Sequence, residues 1–113
     1  MKYYSIKFSD GTFLTRKALG IGQTADIQDC RIFKSKGAAT TIVNEMHTSA
    51  MYRAVREQAK DKSPENYTEL EAEAFRRKRS WNSDHKYNSI PITALSGAAR
   101  IEVYIVEVTE NQS

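Results

Sequence analysis

The sequence predicts an α+β fold, in which a mainly antiparallel sheet of about four to five strands packs on one face against two helices. Three observations predict this fold class. The first third contains the pattern of a β-hairpin, a third strand and the start of a helix. The middle has apolar residues at helical spacing, and a strand-like run follows from about residue 100. The 113 residues fit a single domain over residues 1–113.

The first element is a hairpin. Residues 3–8 alternate between two faces, as a half-buried strand does. Asp10 and Gly11 then give a strong hairpin signal, because a type I′ turn needs positive φ at both central residues. This two-residue loop places Phe8 opposite Phe13, an aromatic pair worth about 0.2–1 kcal/mol over alanines.

The segment after the hairpin leads into the first helix. Residues 19–23 are predicted to form a loop because they contain two glycines, and residues 29–34 a short third strand. Ser35 is a candidate N-cap, since its hydroxyl can accept from an unpaired backbone N–H. The first helix is predicted over about residues 36–60. Its apolar stripe is Ala39, Ile42, Val43, Met46, Ala50 and Ala54, widened by Met51 and Val55.

A second helix is predicted over about residues 64–79. Ser63 is its expected cap, Pro64 its first residue and Glu65 an acid in its first turn. Its apolar stripe is Tyr67, Leu70 and Ala74, with Phe75 beside them.

The last third is predicted to contain two strands. Residues 81–88 are polar and predict a loop, and residues 89–95 predict an edge strand because Pro91 cannot donate to a sheet. After a turn at Ser96 and Gly97, residues 100–108 have two apolar faces, which is typical of a central strand. The expected core is Tyr4, Ile6, Phe8, Phe13, Ile32, Phe33, Ile42, Val43, Met46, Leu70, Ile101, Val103 and Ile105.

Composition excludes several classes of protein. Hydrophobic residues make up 40% of the chain and charged residues 27%, which fits a globular domain rather than a disordered one. No apolar run approaches the roughly 20 residues that cross a bilayer, so no membrane partner is expected. The N-terminus lacks the apolar core of a signal peptide. Cys30 is the single cysteine and cannot form an internal disulfide, so we expect a cytoplasmic location.

The clearest candidate contact surface is a basic run at the end of the second predicted helix, followed by aromatic residues. Cations interleaved with aromatics suit single-stranded nucleic acid, and the same surface could bind an acidic protein. A structural role is the alternative, because acids at the start of the helix and cations at its end complement the helix dipole. Glu73 also precedes Arg77 by four residues, the favoured spacing for an ion pair. The candidate binding residues are Arg76, Arg77, Lys78, Arg79, Trp81, His85, Lys86 and Tyr87.

Other candidate sites are weaker. Lys34, Lys36 and Gly37 at the start of the first helix suggest phosphate binding, but the sequence has no P-loop pattern. Residues 20–22 contain two glycines without the rest of a dinucleotide fingerprint. The metal-ligand types His47, His85 and Cys30 lie in separate segments. We therefore expect no metal, no cofactor and no enzymatic activity.

Fifteen residues of the hairpin, third segment and helix start follow a recurring pattern: Tyr4, Ile6, Lys7, Asp10, Gly11, Phe13, Leu14, Thr15, Ile32, Phe33, Lys34, Ser35, Lys36, Ala38 and Ala39. This pattern resembles that of short accessory proteins of tailed bacteriophages, in which a hairpin YxIKx-DGxYLT precedes A-x-x-F-x-S-K-x-A-A and a helix. The resemblance covers about the first 45 residues. It implies a small viral protein made in the cytoplasm of a bacterial host, often one that binds a host macromolecule or inhibits a defence system.

Three hypotheses for function follow. The first is a non-enzymatic, phage-encoded binding protein that inhibits a host protein or complex, such as a defence system, by occupying its surface through the segment 76–87. The second is a nucleic-acid-binding module that uses the same segment. The third is a small-ligand or nucleotide binder that uses the loop around residues 20–22. A homodimer is compatible with all three.

Overall fold

The computed structural model describes residues 2–17, 20–79 and 86–104, and in these residues it shows a four-stranded antiparallel sheet and three α-helices. The predicted α+β class is confirmed. The strands are β1 (Lys2–Lys7), β2 (Phe13–Lys17), β3 (Gly20–Thr24) and β4 (Ala99–Tyr104), and the helices are α1 (Lys36–Gln58), α2 (Glu69–Arg79) and α3 (Ile92–Ser96). Short 3₁₀ turns occupy Ile27–Asp29 and Pro64–Asn66.

The strand order is β3-β2-β1-β4. β1 and β4 pair from Lys2 opposite Tyr104 to Lys7 opposite Ala99. The last strand was predicted to be central, but within the described sheet β4 borders β1 alone and lies at an edge. Apolar residues on both faces of β4 therefore do not indicate, within the described sheet, that a neighbouring strand lies on each side. Residues 105–108 of that prediction lie outside the described residues.

The hairpin forms, but its register differs by one residue from the prediction. Lys7, not Phe8, lies opposite Phe13. Of the two central residues of the predicted turn, Gly11 takes positive φ, at 85°, and Asp10 does not, so the turn is not type I′. The Phe8 carbonyl accepts from Gly11 N–H at 3.1 Å, which makes a longer loop than the one predicted. The Asp10 carboxylate accepts from the backbone N–H of Thr12 at 3.0 Å and stabilises this alternative.

Two predictions for the segment after the hairpin are wrong. The glycine-containing residues predicted as a loop include strand β3, which pairs with β2 from Phe13 opposite Thr24 to Lys17 opposite Gly20. The predicted strand at residues 29–34 is reduced to an isolated bridge between Tyr4 and Phe33. Pairing with an existing strand has overridden the weak strand propensity of glycine.

The helices agree with the prediction in the middle of the chain and differ later. Ser35 caps α1 by accepting from Ala38 N–H at 3.3 Å, as predicted. The edge strand predicted at residues 89–95 is instead largely α3, which follows Pro91 directly. Proline has a φ suited to a helix start and no N–H to lose there. No helix in the described part of the chain is both long and apolar enough to span a bilayer.

The core lies between the sheet, α1 and α3. Residues 86–91, which we call the segment before α3, contribute Tyr87 and Ile90 to it. α1 contacts β1, β4, α2 and α3. Met46 of α1 and Leu95 of α3 are both fully buried. The buried apolar cluster is Ile6, Phe8, Leu14, Phe33, Ala39, Val43, Met46, Ala50, Tyr87, Ile90, Ala94, Leu95 and Ala98.

The predicted core is largely confirmed, with specific errors. Ile32 and Leu70 are 42% and 48% exposed, and Met51, expected to widen the α1 stripe, is 46% exposed. Ile105 is not among the described residues. The predicted core residues that are buried are Ile6, Phe8, Phe33, Val43, Met46 and Val103, and those that are partly buried are Tyr4, Phe13, Ile42 and Ile101.

Candidate functional site

The basic run forms the end of α2, and the start of that helix is held by a capping box. Thr68 Oγ1 accepts from Glu71 N–H at 3.1 Å, and Glu71 Oε1 accepts from Thr68 N–H at 2.9 Å. This backbone hydrogen bond is the main reason that the pKa of Glu71 is lowered. The expected cap, Ser63, makes no capping hydrogen bond and precedes a 3₁₀ turn. The α-helix therefore begins at Glu69, later than predicted.

Two arginines of the run make contacts within the protein, one inside α2 and one to α1. Glu73 was expected to pair with Arg77, but it forms an ion pair with Arg76, whose Nε donates to it at 3.0 Å. The guanidinium of Arg77 lies 4.4 Å from the ring centroid of Tyr52 on α1. This cation–π contact ties α2 to α1. Part of the basic run therefore stabilises helix packing, a role different from the ion pair with Glu73 that was expected of Arg77.

Lys78 has a different environment from these two arginines. It lines a cleft with a volume of about 440 Å³. The cleft lies between the C-terminal half of α1, α2 and the segment that leads into α3. Its charged lining is four cations and one carboxylate, and we call it the basic cleft. Its lining residues are Arg53, Arg56, Glu57, Lys60, Phe75, Lys78, Asn88 and Ile92.

The two arginines of the basic cleft are held in place by backbone carbonyls. Arg53 Nη1 donates to the Ile90 carbonyl at 2.7 Å and to the Tyr87 carbonyl at 3.3 Å. Arg56 Nη1 donates to the Ala74 carbonyl at 2.8 Å, on α2. These hydrogen bonds orient the two guanidinium groups. The cations are thereby positioned before any ligand arrives.

The remaining charges of the basic cleft are lysines and one glutamate. Lys60 donates to Glu57 at 2.8 Å, and this pair raises the pKa of Lys60 and lowers that of Glu57. Lys78 is exposed. Four positive charges against one negative charge leave a net positive lining. Concave walls concentrate such a potential and attract anionic groups.

Tyr87 was predicted to be a contact residue, and this is wrong because its side chain is fully buried. Its hydroxyl donates to Glu45 Oε2 on α1 at 2.7 Å. Burial first, and then this hydrogen bond, raise the pKa of the Tyr87 phenol above its usual range. The residue is part of the core and cannot present a flat face to a base.

The structure places the other predicted contact residues as follows. Lys86 is exposed, and Arg79 is the last residue of α2. Trp81 and His85 lie outside the described residues. Of the predicted aromatic residues, Tyr87 lies within the described part of the chain, and it does not join the basic run at the surface.

The structure also shows where the weaker candidates lie. Lys34 and Lys36 are exposed at the start of α1. His47 Nε2 lies 2.8 Å from the Ala98 carbonyl and joins α1 to the start of β4. Cys30 is half-buried and lies outside any strand. Among the described residues, no group of three or more His, Cys, Asp or Glu side chains could hold a metal ion.

Sequence reasoning missed the part of the basic cleft that belongs to α1. Arg53 and Arg56 lie one turn apart on one face of α1, and Lys60 follows four residues later, just beyond the end of the helix at Gln58. This signal was present in the sequence. Their convergence with Lys78 depends on the packing of α2 against α1, which no local pattern shows.

Searches for related proteins found no matching family model, curated protein or solved structure.

Proposed function

We propose that this chain is a non-enzymatic binding protein that holds an acidic surface of a partner protein in the basic cleft. The observation that supports this proposal is the convergence of Arg53, Arg56, Lys60 and Lys78 on one concavity that contains a single carboxylate, Glu57. Arginine forks recognise carboxylates in a fixed geometry, and lysines add adaptable charge. The protein acts by occupying the partner's surface.

The environment of the aromatic residues favours a protein over a nucleic acid as partner. Binding of single strands depends on flat aromatic faces on which bases stack. Tyr87 is buried, and the ring of Phe75 in the cleft is stacked on Tyr67 with centroids 4.8 Å apart. Both rings are engaged within the protein, and the cleft is lined by four cations.

The resemblance of the first third to accessory proteins of tailed bacteriophages suggests what the partner is. Proteins of that kind commonly bind a macromolecule of the bacterial host. We therefore propose a host protein or complex, such as a component of a defence system, as the target that this chain inhibits.

The basic cleft can be tested with defined anionic probes. A labelled oligoglutamate peptide and a single-stranded oligonucleotide of equal charge are titrated with the protein, and binding is followed by fluorescence anisotropy at several salt concentrations. The peptide is expected to bind more tightly than the oligonucleotide. The double variant Lys60→Ala with Lys78→Ala should weaken peptide binding about three- to tenfold, since each exposed charge pair contributes a fraction of a kcal/mol.

The matched control is Lys34→Ala with Lys36→Ala, which removes the same charge at the other end of α1. Lys36 and Arg53 are about 25 Å apart along the helix axis at 1.5 Å per residue. The control should bind the peptide as the wild type does. Equal weakening by both double variants would show that net charge alone governs binding. Tighter oligonucleotide binding with a steep salt dependence would instead favour the nucleic-acid module.

A further inference from the structure

Strand β4 has an open side in the described sheet. β4 is hydrogen-bonded to β1 over residues 99–104, and the strand order places no described strand on its other flank. A strand in that position exposes alternate N–H and C=O groups that another strand can pair with. Tyr104 at the end of β4 is 68% exposed.

The charge pattern of β4 is complementary to a second copy of the same strand. Two antiparallel copies related by a two-fold axis at Ile101 place Arg100 opposite Glu102 of the second copy, and the symmetry repeats this pair. Opposite charges directly across two strands are stabilising, and like charges are destabilising.

Other registers lose this match. A shift of one residue places Arg100 opposite the apolar Ile101. A shift of two residues places Arg100 opposite Arg100 or Glu102 opposite Glu102. The charge pattern of β4 therefore favours one register of self-pairing over its neighbours.

The two charged side chains have contacts on β1, on α1 and on β4 itself, where the Tyr104 hydroxyl donates to Glu102 at 3.3 Å. Glu102 pairs with Lys2 of β1 at 2.9 Å, and both side chains remain 49% exposed. Arg100 donates to Thr40 of α1 and lies 5.8 Å from the ring centroid of Tyr4 on β1. These contacts hold the two charges on one face of β4, where a second copy can reach them.

We propose that this chain forms a two-fold homodimer through β4, in which the two four-stranded sheets join into one and Arg100 pairs with Glu102 across the junction. The pairing uses a different surface from the basic cleft and does not depend on the proposed function. The interface is small, so the dimer dissociates on dilution.

Charge reversal with sedimentation velocity tests the dimer and its register together. The wild type should dimerise as its concentration rises from micromolar to millimolar. Arg100→Glu and Glu102→Arg should each raise the dissociation constant at least tenfold, because each change creates two like-charge pairs. An equimolar mixture of the two variants should form a heterodimer, since one chain then presents two acids opposite two bases of the other.

Lys2→Ala is the matched control, because it removes the intrachain partner of Glu102 without changing the open flank. It should dimerise as the wild type does, and circular dichroism should show that every variant is folded. A wild type that stays monomeric at millimolar concentration overturns the proposal. So does a mixture that fails to associate, or a Lys2→Ala chain weakened as much as Glu102→Arg.

Discussion

Gly97 shows how a single residue controls the contact between two distant segments. It follows α3, and a Cβ atom added to it would lie 2.5 Å from Cβ and 2.9 Å from Oγ of Ser9 in the β1–β2 loop. The same Ser9 hydroxyl donates to the Thr93 carbonyl of α3 at 3.0 Å. Glycine therefore lets the hairpin loop and α3 approach closely enough to form this hydrogen bond.

Gly97→Ala is expected to lower the free energy of unfolding by about 1–3 kcal/mol, the usual range for an added methyl group in a space already filled. Urea unfolding followed by circular dichroism measures the change. Gly37→Ala is the control, because its Cβ would meet only Ser35 Oγ at an ordinary 3.6 Å. The control should leave stability unchanged or raise it, since alanine favours the helix. An equal effect of both substitutions would contradict the steric explanation.

The tyrosine at position 87 shows what residue type alone does not reveal. A lysine followed by a tyrosine is typical of a binding surface, but in the structure Lys86 is exposed and Tyr87 is buried. The same amphipathic ring suits an interface and a core in which its hydroxyl has a partner. Here the partner is Glu45, far away in sequence, so the outcome depends on tertiary structure.

At the scale of elements, the start of α2 is determined by Thr68 and not by the earlier serine. Thr68→Ala removes the acceptor of the Glu71 N–H and should destabilise the protein by about 0.5–2 kcal/mol, the usual value of an N-cap. Ser63→Ala tests the cap that the sequence suggested. Because Ser63 makes no capping hydrogen bond, this control should change stability by less than about 0.5 kcal/mol.

Thermal unfolding of the two variants, followed by circular dichroism, separates the two caps. A larger loss for Ser63→Ala than for Thr68→Ala would show that the helix begins near Pro64, as the sequence predicted. The sequence contained both signals, since Thr68 and Glu71 also have capping-box spacing. Pro64 favours a helix that starts at that position, but in the structure it begins only a 3₁₀ turn.

Elements with strong local signals were predicted well, and those formed by pairing were not. α1 was predicted correctly because Ser35 caps it and its apolar residues repeat at helical spacing. The hairpin was predicted but its register was not, because Asp10 and Gly11 fit more than one turn. β3 contains Gly20 and Gly22 and becomes a strand through its pairing with β2. No local property of that segment predicts this.

At the scale of the whole molecule, the segment before α3 is joined to α1 by Tyr87 and Arg53, and this connection makes stability depend on pH. The Tyr87 phenol stays protonated in the folded state because burial and Glu45 raise its pKa. In the unfolded chain it ionises near its ordinary pKa of about 10. Its contribution to stability is therefore complete below pH 10 and is lost as the pH rises further, by about 1.4 kcal/mol per pH unit.

Comparison of the wild type with Tyr87→Phe isolates this contribution. Near pH 7 the variant should be less stable by about 1–3 kcal/mol, because the Glu45 carboxylate loses its donor. Above pH 10 the difference should shrink, since phenylalanine has no proton to lose. Urea unfolding across the range from neutral to alkaline pH measures it. A difference that stays constant with pH would contradict the assignment of Tyr87 as a buried, protonated donor.

The candidate site was predicted only in part, because its residues come from segments that are distant in the sequence. The run containing Lys78 was recognised as basic from the sequence. The basic cleft, however, needs Arg53 and Arg56, which belong to another helix and are oriented by carbonyls of α2 and of the segment before α3. Charge on one helix can be read from spacing, but a concavity between helices requires their packing.

The pairing of β1 with β4 also has a consequence during protein synthesis. Lys2 lies opposite Tyr104, so β1 cannot acquire this neighbour until nearly all of the described chain has left the ribosome. At about 5–20 residues per second, one flank of β1 in the nascent polypeptide waits roughly 5–20 s for its partner. The rate of translation therefore limits how early this sheet can be completed. When translation is slow, the unpaired flank of β1 is exposed to non-native strand pairing for longer.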